Sequence, residues 1–487
     1  MMGIRQKEIL FPPAIPRCMP WALCAIMDAV RRLNHQTATR RKKERSRMTR
    51  ARLDGLYFLL LGSLVFLLLG IALLPAARAP LTDFRGLYYP ARCLIQHHDP
   101  YMEGEVLRIY RAEQGDSPSD TVDMRQVATR NVYPPTTLFV LAPFAMLPWG
   151  PAHLLWIMLT AGSLIFASYL IWNLGADYAP ILSGALIGFL LANSEVVIMT
   201  GNATGIAISL CVVAVWCFLR ERFVLAGVPC LAISLAIKPH DAGLVWLYFL
   251  LAGGVYRRRA LQTLFVTIAI SLPGVLWVWL TAPHWMAEIH ANFLAYSAPG
   301  GINDPRSASM GPEGVIDLQS AISVFWADPR IYNPVSWLLC AAFLLVWVLV
   351  TMRFRFSPAR AWLALAAISA FSMLPVYHRQ YDAKLLLLTV PACAMLWAKR
   401  DCIGRLALLV SAAGLVVTGD LPWVIFLILN KSLHLLTAGV LGKALMDTLI
   451  FSAPLTLLAM SVFYLWVYAR SGQAGNDGEG ACEAAGG

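Results

Sequence analysis

The sequence predicts an all-α polytopic membrane protein. Hydrophobic residues make up 58% of its 487 positions and charged residues only 14%, with a mean hydropathy of +0.62. Apolar runs long enough to cross about 30 Å of hydrocarbon recur along the chain. Those runs lack the alternation of a barrel strand, and a peptide group in the bilayer core must find its partner within its own segment, so they are read as helices. Basic clusters fall between them at regular intervals, which orients the helices.

Residues 1–52 form a basic N-terminal extension. Ten basic residues and one acid lie between Arg31 and Arg52, marking the cytoplasmic side by the positive-inside rule. The apolar piece at 18–30 is short, carries Asp28 and precedes the basic run, the reverse of a cleavable signal, so the first span is expected to remain as an anchor. Met48 heads a compact basic start of its own, and residues 1–47 are read as a dispensable extension or an over-called start.

The membrane domain is placed at 53–470. Its first span, 56–74, is followed by an outer loop at 76–135; residues 78–130 hold seven basic and eight acidic side chains. Tyr133-Pro134-Pro135 gives an extended lead into the apolar run 136–147. A Pro148-Trp149-Gly150-Pro151 break, a full-length run to 172 and a shorter one at 181–192 come next. Runs 203–219 and 224–237 go in and out, since Arg220 and Arg222 follow the first and the turn Lys238-Pro239-His240 follows the second. A helix at 242–256 then ends at Arg257, Arg258 and Arg259, and 261–280 runs out to a second outer loop at 282–332, which has two basic and five acidic residues. Spans at 335–350, 361–374 and 385–397 alternate around the outer turn Tyr377-His378-Arg379-Gln380-Tyr381. The apolar stretch 406–468 is broken at Gly419-Asp420-Leu421-Pro422 and at Asn430-Lys431. Residues 471–487, rich in Gly and Ala, are read as a disordered cytoplasmic tail.

This gives roughly 11 to 13 spans, with one conflict. Three apolar runs separate the first outer loop from residue 203, but only an even number can cross. Either 136–147 or 181–192 must be re-entrant or interfacial.

The net charge of +11 sits at the cytoplasmic helix ends, which argues for membrane orientation and against a nucleic-acid partner. Of ten cysteines only Cys93 falls in an outer segment, so no disulfide framework or zinc spacing follows. The first outer loop offers no DxD pair, only Asp120 and Asp123. The chain has no phosphate-binding GxxxxGK[ST] loop, no Gly-x-Ser-x-Gly elbow and no His-Glu-x-x-His helix. Neither a metal nor a cofactor is expected.

Asp83 is the first candidate for chemistry, in Leu81-Thr82-Asp83-Phe84-Arg85 just beyond the first span. There a carboxylate could take a proton from a sugar or lipid hydroxyl; the plain alternative is an interfacial helix cap. Lys238, His378 and Arg379 each end an outward-running helix, where a cation needs a partner. A lipid phosphate is one partner, and Asp241 and Asp382, close by in sequence, are another. Asp99 in His97-His98-Asp99-Pro100-Tyr101 reads as a turn, Tyr133 as part of a helix lead-in, Gly201-Asn202 as a helix break and Glu195 as a weaker acid candidate.

The ordered series Asp83-Phe84 with Tyr88-Tyr89, Asp99-Pro100-Tyr101, Tyr133-Pro134-Pro135, Gly201-Asn202, Lys238-Pro239 and the late His/Arg/Tyr turn resembles glycosyltransferase family 87. That is a bacterial GT-C group of polyprenyl-phosphate-mannose-dependent mannosyltransferases. The resemblance implies a GT-C-like bundle in the bacterial inner membrane with its site on the extracytoplasmic face. The sugar would come from a polyprenyl-phosphate donor and pass, with inversion, to a lipid or glycan acceptor. It implies Asp83 as general base, with Lys238, His378, Arg379, Arg85, Tyr133 and Asn202 around the donor. The family often has Gln where this chain has Asn202. A lipid-linked glycan flippase and an O-antigen polymerase or ligase are the competing readings.

Overall fold

The computed structural model describes residues 48–76, 80–114, 122–298, 301–305, 315–323, 325–326, 328–419 and 452–484. The expectations for residues 1–47 and for the breaks at 420–422 and 430–431 lie outside them. The described chain is helical, and its one β-type contact is an isolated antiparallel bridge between Val315 and Arg379.

Among the described residues, five helices are long and apolar enough to cross a membrane: Met48–Leu73 (α1), Trp149–Gly175, Gly254–Thr281, Pro329–Arg353 and the stretch Ser452–Ser471 of the last helix. Their large apolar side chains point outward. Leu60, Leu64 and Leu68, Phe265 and Leu280, and Leu338 and Leu349 are all exposed, as a lipid-facing surface requires.

The segment expected as the first outer loop is helical rather than loop-like: Thr82–Ile95 (α2), Glu103–Gln114 (α3) and Val122–Thr129 (α4). With Pro135–Ala145 (α5) they build a separate hydrophobic cluster around Phe84, Tyr88, Tyr89, Tyr101, Leu138 and Trp156. The long helix Trp149–Gly175 (α6) leaves this cluster and reaches the arginine-rich end, where Arg220 pairs with Asp177 just beyond it.

The chain returns through Pro180–Ala192 (α7) and, after a break at Asn193 and Ser194, Glu195–Thr200 (α8). This resolves the parity conflict. Together the two cover about 30 Å and bring the chain back to the Asp83 end, where Leu81 N donates to Met199 O at 2.7 Å. α5 does not cross: eleven residues span only about 16 Å, and both its ends are fastened at the Asp83 end. Thr136 and Thr137 bond the carbonyls of Ala236 and Ile237 at one end, while Arg92 Nη1 bonds Ala145 O at the other.

α1 lies on α7 with almost no side chain between them. A Cβ on Gly62 would meet Gly188 O at 2.1 Å, and one on Gly188 would meet Phe58 O at 2.4 Å. Small residues that let backbones touch are the usual basis of helix association where lipid is as apolar as leucine.

Thr204–Arg220 (α9), Val224–Ile237 (α10) and Pro239–Leu251 (α11) form the buried interior. The helix expected at 242–256 stops at Leu251. Gly253 and Gly254, with φ of 78° and 50°, end it, and Arg257, Arg258 and Arg259 open the following helix, Gly254–Thr281 (α12), instead. The segment expected as the second outer loop contains Trp285–Ser297 (α13) and Leu318–Ser323 (α14). Pro329–Arg353 (α15) and Pro358–Phe371 (α16) follow.

A second departure comes next. The span expected at 385–397 begins as a buried ten-residue 3-10 segment, Gln380–Thr389, and becomes α-helical only at Val390–Trp397 (α17). Cys402–Val417 (α18) then leads toward the last helix, Ser452–Ala484, which continues past residue 471, where a disordered tail was expected.

Candidate active site

Asp83 is the second residue of α2, and its position is set from both sides. Leu81 adopts a left-handed conformation (φ 56°) and is tied to Met199; Phe84 stacks on Trp156 at 4.9 Å and on Trp149 at 5.5 Å. Opposite, Gly201 ends α8 with φ 64°. A side chain there would run into Phe84, a Cβ lying 2.8 Å from Phe84 Cβ, so glycine is required. Trp156 Nε1 donates to Gly201 O at 2.7 Å and fixes the turn. The result is a 2.8 Å hydrogen bond from Asn202 Nδ2 to Asp83 Oδ2 across 119 residues of sequence. Gly201-Asn202 is thus a helix break and also a ligand to the carboxylate.

From Asn202 a polar chain runs inward. Asn202 Oδ1 accepts from Thr204 N at 2.9 Å. The Thr204 hydroxyl accepts from Lys238 Nζ, and its single proton has both Asn202 Oδ1 (2.7 Å) and Asp382 Oδ1 (2.6 Å) in reach. Lys238 Nζ lies 2.5 Å from Asp382 Oδ1 and 3.7 Å from Asp241 Oδ2. His378 Nε2 stands 3.2 Å from Asp241 Oδ1. Asp382 is fixed by Arg379 N donating to its Oδ2 at 2.8 Å, which closes the first turn of the 3-10 segment. All these groups except Asp83 are buried, so the charges need each other: a buried ion pair is tolerated only when its geometry and remaining hydrogen bonds are satisfied.

The structure therefore brings together Asp83, Asn202, Lys238, His378 and Arg379 and adds Thr204, Asp241 and Asp382, which were not chosen from sequence as site residues. It gives Lys238 two carboxylate partners, as the pairing alternative had it. The Arg379 guanidinium bonds the Tyr377 hydroxyl through Nε and Ile302 O through Nη2 at 2.8 Å. Arg85 stands apart from this chain: it lies over Trp149 at 5.0 Å and bonds Tyr110 and Pro80 O. Asp99 is a turn residue, accepting from Tyr101 N at 2.9 Å, and Glu195 is buried at the start of α8.

Two tyrosines lie within electrostatic reach of the carboxylate. Burial raises the phenols of Tyr133 and Tyr296 well above the ordinary range, and the Asp83 charge adds to both, which places the three groups in one electrostatic neighbourhood. Tyr133 is held by its own backbone: Asn131 Oδ1 accepts from its N–H, and its carbonyl accepts from Tyr101 Oη at 2.9 Å. A half-buried carboxylate fixed by an amide, facing phenols and backed by buried cations, can orient a hydroxyl and take its proton.

A bundle of apolar helices with a buried polar cluster and an acid held at one end defines an all-α polytopic membrane protein. The family model of glycosyltransferase family 87 matches residues 131–374, and the chain belongs to that family. The matched region includes Tyr133, Asn202, Lys238 and Asp241; Asp83 precedes it, and His378, Arg379 and Asp382 follow it. Comparisons with curated proteins and with solved structures gave no match. Membership makes the protein a membrane-embedded glycosyltransferase and decides for transfer chemistry over the flippase alternative.

Proposed function

We propose that this enzyme transfers a hexose, mannose by family resemblance, from a polyprenyl-phosphate donor to a hydroxyl of an envelope lipid or glycan. Transfer occurs at the outer face of the bacterial inner membrane and inverts the anomeric centre. The observation that carries the reading is the Asn202–Asp83 hydrogen bond, which holds a carboxylate where α2 meets the bundle. The arginine clusters at the far helix ends support this orientation.

In the reaction Asp83 removes the acceptor proton, the acceptor oxygen bonds to the anomeric carbon, and the bond from that carbon to the phosphate oxygen breaks. Polyprenyl phosphate leaves. Positive charge develops on the sugar ring and negative charge on the departing phosphate, so a carboxylate on one side and cations on the other oppose both. Arg379 serves the phosphate side. Lys238 and His378 act one step behind it, as positioning residues that keep Asp382 and Asp241 in place. Among α11, α15 and α16, an apolar groove of about 340 Å³ lined by Leu244, Trp337, Leu344 and Phe371, with His240 in its wall, suits the isoprenoid chain.

The test is Asp83→Asn in purified, correctly inserted enzyme. Transfer from a polyprenyl-phosphate sugar should fall by about 10²–10⁴-fold, the usual contribution of a general base, with unchanged thermal unfolding. Retained transfer would reject Asp83 as the base. Cysteine-accessibility labelling at position 83 from the inner side would reject the orientation.

A further inference from the structure

We infer that His240, Asp241 and His378 bind a first-row divalent cation, Zn²⁺ or Mn²⁺ by donor type, at the rim of the apolar groove. Their ligand atoms all lie within 4.8 Å of one another: Asp241 Oδ1 is 3.2 Å from His378 Nε2 and 3.8 Å from His240 Nε2. Ligand atoms that share one metal at about 2.0–2.2 Å stand about 3–3.5 Å apart, so modest side-chain adjustment closes the set.

Three further observations point to a ligand. His378 is fully buried, and its Nδ1 faces Val376 O at 2.8 Å; a carbonyl only accepts, so the proton is on Nδ1 and Nε2 is left for another partner. A backbone carbonyl on one ring nitrogen is the arrangement that fixes the tautomer of a metal-binding histidine. His378 Nε2 has Asp241 Oδ1 at 3.2 Å, and Asp241 Oδ2, also buried, has Lys238 Nζ at 3.7 Å, but neither contact meets full hydrogen-bond geometry. Two buried polar atoms held only by loose contacts on facing side chains leave room for a group that bridges them.

The local charge agrees. Asp83 and Asp382 are linked through one hydrogen-bonded chain that holds Lys238, Asp241 pairs with Lys238 at 3.7 Å, and Arg379 lies beside it: three carboxylates against two fixed cations. A dication offsets that excess. His240 completes the set from the exposed side, with its side chain 39% accessible in the groove wall, so the remaining coordination positions face the groove. Two histidines and one carboxylate with open positions suit a first-row transition dication better than Mg²⁺ or Ca²⁺. On the proposed function, those positions would be available to an oxygen of the donor phosphate.

The test uses the full-length enzyme in nanodiscs, stripped with chelator and loaded separately with Zn²⁺, Mn²⁺ or Co²⁺. After desalting, elemental analysis should find one bound metal per chain, and the Co²⁺ form should show ligand-field absorption bands. His240→Ala, on the accessible side, should fold normally and bind at least about 10-fold more weakly. His378→Gln should also lose the metal, whereas Asp83→Asn should retain it, which separates this inference from the assignment of the base. Absence of retained metal in the wild type, or undiminished binding by His240→Ala, would overturn it.

Discussion

The two ends of the bundle handle buried positive charge in opposite ways. At the Asp83 end, Lys238 is held between Asp382 and Asp241 and linked through Thr204 and Asn202 to a half-buried acid. At the arginine-rich end, Arg259 lies over Phe218 and Tyr256 and bonds Phe218 O, with only a 3.7 Å approach from the exposed Glu221. Arg360 is sandwiched between Phe354 at 4.5 Å and Tyr468 at 4.7 Å. Rings and carbonyls hold a guanidinium in place without coupling it to a proton donor or acceptor. Carboxylates create a chain along which changing one charge affects the next. The first arrangement anchors; the second can do chemistry.

The most damaging way to break this contrast is Asp382→Ala, which leaves Lys238 short of its nearest partner in a buried setting. A loss of about 3–5 kcal/mol is expected, read by thermal or denaturant unfolding in detergent, and transfer should be lost with it. Asn202→Ala should separate position from stability. It removes the charge-assisted hydrogen bond to Asp83, about 1.5–3 kcal/mol, together with the acceptor for Thr204, and transfer per folded molecule should drop by about 10–100-fold with a smaller loss of stability than for Asp382→Ala. At the other end, Arg360→Gln should lower stability by about 1–2 kcal/mol, the sum of two ring contacts, and leave transfer per folded molecule unchanged.

The smallest effect concerns pH. Burial, with Asp99 nearby, raises the Glu288 carboxyl from 4.5 to about 7. The folded state therefore keeps a proton that the unfolded state has already lost, and stability declines as pH rises from about 4.5 to about 7. Glu288→Gln should match the wild type near pH 5 and unfold at a slightly higher temperature at pH 8. Equal melting at pH 8 would mean that burial does not raise the Glu288 carboxyl.

Much of the fold was legible because bilayer crossing imposes length and apolarity, and Asp83 was legible because an acid just outside a first span is unusual. What escaped the sequence was non-local. Asp241 and Asp382 were named from sequence only as pairing partners of the nearby cations, not for the cross-chain pairing of Asp382 with Lys238; nothing near Thr204 hints that it meets side chains 34 and 178 positions away. The 3-10 segment was read as an ordinary span because its composition is that of a helix. The segment is wholly buried and Arg379 and Asp382 cap its first turn, features that rest on tertiary contacts and not on composition. The non-crossing of α5 was decided by its fastenings at both ends, which hydropathy does not encode.

The seam between α1 and α7 bears on how the protein is made. Ribosomes deliver the amino-terminal helix first, so Gly62 must wait in lipid until Gly188 has been synthesised, with a lengthy extramembrane segment and α6 in between. A nascent chain halted before α7 would hold a correctly oriented but unseated first helix, and a bulky residue at position 188 would surface as failed biogenesis and turnover ahead of any kinetic defect.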